Sequence, residues 1–400
     1  MSIDEYFLLP SKNEAFSFKK KWLTEILTAI DGNEQRSALL TWPRRSLTIA
    51  SIALTSSDLN YIKRIFFKKL HLTWGIPFYQ DRTVLTSQAA SGQKTLNVES
   101  TQYRNFEIGA PCILLESKSS FEPGTIASFN DTQITFEENL ASTWPVSTPV
   151  YPVLQAKIMA EQEMNLHNPS FGEIFFTATE DYSEGISRYS PDVSMFPVYK
   201  ELPVFHIRPE QGSLKQILFH PYQYLVFLGK SYSESHWAET AHRLKGHYHR
   251  KGREDTWNLL NFFDDQKGRW GNFYLPTWNA DIIITESFGA GDTVLTIDPI
   301  EYPTYWAGSQ TPRHVALLWP DDTPLICREI INAGSNTITL DSAIGKASGD
   351  PGLLFVSFLL MARLDIDEIE MSIMMDGEND AERLTIFDLS FHSLPQETPA

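Results

Sequence analysis

The sequence predicts a mainly β protein with a few helices (α+β), built as a tandem duplication of a strand–helix–strand scaffold, each copy carrying an inserted small β-barrel-like module. Three observations predict it. A glycine turn entering an alternating strand occurs twice, as Ala90-Ser91-Gly92-Gln93-Lys94-Thr95-Leu96-Asn97-Val98 and as Gly289-Ala290-Gly291-Asp292-Thr293-Val294-Leu295-Thr296-Ile297-Asp298. Each is preceded by a short amphipathic helix and a Trp-Gly segment, Trp74-Gly75 and Trp270-Gly271. Four further pairs keep the same order, Phe66 and Phe262 before these segments, and Ile134 and Ile338, Ala156 and Ala362, Glu163 and Glu370 after them. The separation within each pair stays near half the chain and grows from 196 to 207 residues along it, as small loop insertions produce.

In chain order, Phe16 to Ile30 fits a short helix and an extended arm equally, and Gly32-Asn33-Glu34-Gln35-Arg36 reads as a turn. Arg45 to Leu54 alternates and is rich in β-branched residues, so it reads as a strand. Ser56-Ser57-Asp58 offers an N-cap, and Leu59, Ile62, Ile65, Phe66 and Leu70 continue at helical spacing. Trp74 to Asp81 is an aromatic strand and turn. Short strands then fall at Val84-Leu85, Thr95 to Val98, Pro111 to Leu115, Thr125 to Phe129, Ile134 to Glu137 and Val150 to Leu154. Glu173 to Ala178 is a further strand, and the Pro-rich stretch after it reads as a connection. The order then returns: a strand at Arg243 to Arg250, a helix at Asp255 to Phe263, an aromatic strand at Trp270 to Pro276, and strands to the end. The expected organisation is a first copy over 1–180 with its insertion at about 83–154, a connection over 181–225, and a second copy over 226–400 with its insertion at about 285–360.

The chain is 42% hydrophobic, enough for sizeable cores over 400 residues. Its net charge of −17 argues against a nucleic-acid surface built on Lys and Arg, although nucleic acid could still slide past an acidic wall. Two cysteines, Cys112 and Cys327, make no disulfide framework and read as buried thiols. Met1 to Glu5 lacks the basic region of a secretion signal, and the most apolar run, Gly352 to Ala362, is too short to span a bilayer. Synthesis in the cytoplasm without a membrane anchor is the expectation.

No nucleophile elbow, His-Glu-x-x-His, phosphate loop or dinucleotide fingerprint occurs, so no enzyme, catalytic residue, metal or cofactor is expected. His236, His242, His247 and His249 are the best metal candidates, since His247 and His249 share a strand face. Arg243, Lys245, Arg250, Lys251 and Arg253 surround them and favour a basic strand facing solvent or a subunit. A metal-dependent hydrolase on this segment would require stoichiometric zinc. Asp365, Asp367, Glu368 and Glu370 lack the glycine and ligand order of a calcium loop and read as an exposed acidic face. Gly268 suits the end of the second helix. Trp74, Phe78, Tyr79, Trp270, Phe273, Tyr274 and Trp278 read as packing between helix and sheet rather than a sugar platform. A carbohydrate- or receptor-binding module with clefts at Trp144 and Trp319 stays open as a second class.

Glu34-Gln35-Arg36, Trp42-Pro43-Arg44-Arg45, the following strand, the helix with Phe66 and Phe67, and Trp74-Gly75 to Asp81 resemble the N-terminal part of distal tail (tail-tip, baseplate) proteins of long-tailed bacteriophages and related gene transfer particles. In the second half, Phe262, Phe263, Lys267-Gly268, Trp270-Gly271, Phe273 and Pro276 carry the same likeness. The resemblance spans about 25–81 and 240–278. It implies a structural virion protein, a trimeric or hexameric ring that joins the tail tube to the hub and the tail fibre or receptor-binding proteins and lets genomic DNA pass. A baseplate hub with pseudo-sixfold symmetry is the neighbouring alternative. The inserted modules receive no role from the resemblance.

Overall fold

The computed structural model describes residues 5–6, 15–53, 56–159, 163–168, 171–181, 191–237, 240–298, 302, 312–320, 325–349, 352–375 and 383–394. The first four residues, Leu54, 182–190 of the expected connection and parts of the second insertion lie outside these. The chain is mainly β, with two α-helices among the described residues, α1 (Ser56–Lys69) and α2 (Arg253–Asp265).

Eight strands lie side by side, every neighbour antiparallel. In spatial order they are Glu163–Asn168, Phe171–Glu180, Arg44–Ala53, Ala15–Lys21, Glu368–Met375, Leu384–Ser393, Ala241–Lys251 and Lys215–Phe219. The first four come from the first half of the chain and the last four from the second. They meet in the middle, where Ser17 faces Ser372, Phe18 faces Met371 and Lys19 faces Glu370.

Strand alternation gives this sheet two unlike faces. On one, Phe18, Leu47, Ile49, Phe176, Leu244, Tyr248, Phe387 and Phe391 are buried in a single core with Phe262 and Phe263 of α2. Leu59 and Ile62 of α1 pack on Ile174 of the same face. The other face carries Ser17, Lys19, Ser46, Thr48, Thr177, Thr179, Lys245, His247, Glu368, Glu370, Ser372 and Asp388, all half-buried or exposed.

Two long strands leave the sheet. Pro149–Ile158 pairs with Trp74–Pro77 and Phe171–Glu180 at its end and with Pro111–Ser117 at its start. Phe355–Leu364 pairs likewise with Phe273–Pro276, Leu384–Ser393 and His314–Leu318. Beyond each lies a small cluster. Leu96, Ile134 and Trp144 belong to one, and Leu295, Ile338 and Trp319 to the other. The two glycine turns lead into these clusters. Thr95–Asn97 pairs with Gln133–Phe136, and Val294–Thr296 pairs with Thr337–Leu340.

Several expectations need correction. Phe16 to Ile30 is neither helix nor arm, because it holds the strands Ala15–Lys21 and Thr24–Thr28. Glu34 to Arg36 is not a turn but part of the strand Glu34–Ala38, which pairs with Thr24–Thr28. The turn precedes it at Gly32, whose φ of +90° strains any L side chain and where a Cβ would crowd the Trp237 indole at 3.0 Å. The aromatic strand of the second half begins at Phe273, not Trp270. Where Trp74 faces Ala156, it is Phe273 that faces Ala362. Trp270 instead sits in the turn after α2, 42% exposed under the Lys267 ammonium. Within the stretch assigned to a connection, Lys215–Phe219 is already a member of the sheet, and the hairpin of Gln223–Phe227 with Lys230–Glu234 begins there and ends inside the expected second copy.

Candidate functional site

The centre of the sheet is a joint between the halves, held by charge as well as by backbone pairing. It begins with Lys20, which points to the core face between Phe18 and Trp22. A buried ammonium requires a partner, and Asp264 at the end of α2 supplies it at 2.5 Å. Asp264 also accepts from the Trp22 indole at 3.2 Å.

The Thr24–Thr28 and Glu34–Ala38 hairpin then lies against the second half. Both oxygens of Glu34 take the Arg363 guanidinium, at 2.7 and 2.9 Å, with both side chains almost wholly buried. Burial alone would raise the Glu34 carboxyl, but the hydrogen bonds and charge of Arg363 outweigh it and hold the pKa below the ordinary value. Arg36 donates to the carbonyls of Arg269 and Gly271 and to the Asn272 side chain. Asp367 accepts from Thr24 and Arg269. A Cβ at Gly271 would fall 2.2 Å from the Gln266 amide oxygen, so a side chain here would push Gln266 aside.

On the polar face Lys19 sits 3.0 Å from Glu370 and 3.4 Å from Glu368, and the Ser17 hydroxyl donates to Glu370. Glu368 and Glu370 are exposed, as expected of an acidic face, and pair with this lysine strand, while Asp365 bonds Arg363 and Asp367 bonds Thr24 and Arg269. At the other end Asp81, 3% exposed, receives Arg253 at 3.1 Å and the backbone and side-chain amides of Asn105. Arg45 is fully enclosed between Glu180 at 2.7 Å and Glu107 at 3.0 Å. Burial would lower its pKa, and the two carboxylates reverse that and raise it.

The structure thus brings together Glu34, Arg36, Lys267, Gly268 and Gly271 around the joint, with Arg45 and Asp81 fixed beside it. Phe262, Phe263, Trp74, Phe273 and Pro276 are core, and Gly75 pairs with Gln155 in the sheet. Arg44 and Phe67 are not drawn in: Arg44 is exposed, and Phe67 is 84% exposed on the outside of α1, while Phe66 is half-buried. Trp42 lines a cleft of about 690 Å³ with Trp257, Lys20, Glu107 and Asp264. Its Lys20 and Arg45 are already engaged by Asp264 and Glu107, so the cleft holds no cation free for a substrate anion among these two.

Sequence reasoning missed Lys20, Glu107, Glu180, Arg253, Asp264 and Arg363. For Lys20 and Arg45 a signal existed, because each carries charge at the buried phase of an otherwise alternating strand. Their partners lie far along the chain, and no spacing rule finds them.

The histidines go separate ways. His247 contacts Asp388, His249 approaches Glu210 at 3.3 Å and His242 meets the Gln216 amide. Among the described residues no three His, Cys, Asp or Glu side chains converge as a metal site. Both indoles proposed for sugar clefts are buried, Trp144 at 5% and Trp319 at 6% exposure, and neither offers a face for stacking. Cys112 and Cys327 are buried in different clusters, and burial pushes the Cys327 thiol up to about 12. No helix among the described residues is long and apolar enough to cross a membrane. No protein-family model and no curated protein matches the chain.

Proposed function

We propose that this chain is a structural subunit of the tail tip of a long-tailed phage or related gene transfer particle, and that its eight-stranded sheet lines the lumen of a homo-oligomeric ring. The observation that carries the reading is the unlike pair of sheet faces. Both helices and the large aromatic core lie on one face. The other is a broad polar surface of Ser, Thr, Lys, Glu and Asp, with acids and bases paired across it at Lys19, Glu368 and Glu370. A wet, charge-balanced sheet of this size suits a wall past which a polyanion travels without binding.

The sheet is also read as two four-stranded units from one duplicated scaffold. The pairings of Trp74–Pro77, Pro149–Ile158 and Phe171–Glu180 have their like in those of Phe273–Pro276, Phe355–Leu364 and Leu384–Ser393. Three copies of the chain would then present six units to a sixfold tail tube and threefold symmetry to a hub. The clusters around Trp144 and Trp319 stand apart as inserted modules available to hub, fibre or receptor-binding partners. The test is gold-labelled antibody against this chain on intact particles. Label at the tail tip supports the reading, and label confined to heads or fibres, or absent from particles, contradicts it.

A further inference from the structure

We infer that the sheet continues from one copy of the chain to the next, the outer edge of Glu163–Asn168 on one copy receiving Lys215–Phe219 of its neighbour. This rests on the ring reading above and adds which strands meet, and in which register.

The joint inside the chain is the template. Ala15–Lys21 lies beside the strand that enters α1, and it pairs outward with Glu368–Met375, which lies beside the last strand of the second half. Lys215–Phe219 occupies the first of these positions for α2, beside Ala241–Lys251. Glu163–Asn168 occupies the second position for the first half, beside Phe171–Glu180. The two ends of the sheet are therefore the same two kinds of strand that are already joined in its middle. Among the described residues no strand pairs with the outer edge of either.

A second observation agrees with the first. In the template, the strand Ala15–Lys21 runs into the Thr24–Thr28 and Glu34–Ala38 hairpin, which lies against Arg269, Gly271 and Arg363 of the other half. Lys215–Phe219 likewise runs into a hairpin, Gln223–Phe227 with Lys230–Glu234. That hairpin is apolar and uncovered, with Tyr224, Leu225, Val226 and Tyr232 each more than half exposed. Ile217 and Leu218 on the edge strand are 47% and 64% exposed. An open apolar edge is a template for pairing with another chain unless a partner covers it. An edge that meets a different edge of a second copy is a head-to-tail contact, which closes into a ring when its rotation allows. The occupant that fits both edge and hairpin is the first half of another copy, because that is what the equivalent elements already hold within the chain.

The register follows from shared neighbours. Leu47 stands between Phe18 and Ala178, and Leu244 stands between Gln216 and Phe391. Five residues before Ala178, Glu173 faces Asn165, and five residues before Phe391, Ile386 faces Ser372. The internal pairs Ser17 with Ser372 and Phe18 with Met371 then carry over as Lys215 opposite Asn165, and Gln216 opposite Met164, of the neighbouring copy.

Cysteine pairs in the full-length chain test this. Directly opposed antiparallel residues have Cβ atoms about 4.5–5.5 Å apart, close enough for a disulfide after slight adjustment. Lys215 and Asn165 are both exposed, so Lys215→Cys with Asn165→Cys is a mild double variant. Under mild oxidation by diamide it should shift to a ladder of covalent oligomers on a non-reducing gel, as should Gln216→Cys with Met164→Cys. The offset pair Lys215→Cys with Met164→Cys, which would face opposite sides, should not. Native Cys112 and Cys327 are buried and give no background. Rings visible by electron microscopy without linkage at the matched pairs, or with equal linkage at the offset pair, would overturn the joint and leave the ring reading standing. A chain that stays monomeric at high concentration and shows no linkage overturns both.

Discussion

Arg363 holds Glu34 through both carboxylate oxygens, at 2.7 and 2.9 Å, with the two side chains drawn from opposite halves of the chain and nearly closed to solvent. Removing one member of such a pair leaves the other charge buried, which typically costs about 3–5 kcal/mol. Arg363→Met should therefore lower unfolding stability by roughly that amount in urea titration. Arg363→Met with Glu34→Leu should recover most of the loss, because neither charge is then stranded.

Arg45 should not accept lysine. Its guanidinium spans Glu180 and Glu107 in two directions, and a single ammonium cannot reproduce that fork. Arg45→Lys is expected to cost about 2 kcal/mol or more, the order of a lost charge-assisted hydrogen bond at a buried site. An unchanged denaturation midpoint would contradict the role given to this triad.

His314 makes stability depend on pH. Its Nδ1 lies 3.0 Å from the Tyr199 hydroxyl, and burial followed by the charge of Lys200 lowers its pKa from 6.5 to about 4. Glu329 and Asp341 nearby oppose that shift and Arg313 adds to it. A value depressed in the folded state means that the unfolded chain binds the extra proton first. The stabilisation is present above pH 6.5 and lost as pH falls through about 4. His314→Gln should flatten the stability profile within that window, as read from melting temperatures across pH. Glu34 and Asp367, whose pKa values are lowered from 4.5 and 3.8, add a further loss as pH falls below those ordinary values.

Leu225 within the second hairpin and Leu228 at its tip are 54% and 88% exposed. Substitution of both by Lys should leave the melting of the monomer nearly unchanged, within about 0.5 kcal/mol, as for other surface positions. Association measured by light scattering should weaken at least about tenfold, or ~1.4 kcal/mol. Equal association of the variant and the parent chain would remove the hairpin from the interface.

Local pattern made much of the architecture legible. The alternation of Leu47 and Ile49 with Ser46 and Thr48 marked the strand before α1, and the spacing of Leu59, Ile62 and Phe66 marked the helix. The glycine turns at Gly92 and Gly291 led correctly into paired strands. Pattern failed where tertiary partners decide. Ala15–Lys21 has only Phe16 and Phe18 as apolar alternation, since its Lys19 and Lys20 are matched by acids from the second half of the chain. The turn after α2 shifted the Trp-Gly marker, so that Phe273 and not Trp270 entered the sheet. Pairing of the halves through Glu34 and Arg363 could not be read from spacing, because each residue alone looks like an ordinary surface charge.

In the proposed assembly this sheet forms the wall of a ring. Electron microscopy of the purified full-length chain at assembly concentration tests it most directly. The account predicts closed rings with an open lumen and threefold symmetry, each showing six similar lobes. Particles without a lumen, open filaments, or a chain that remains monomeric under those conditions would contradict it.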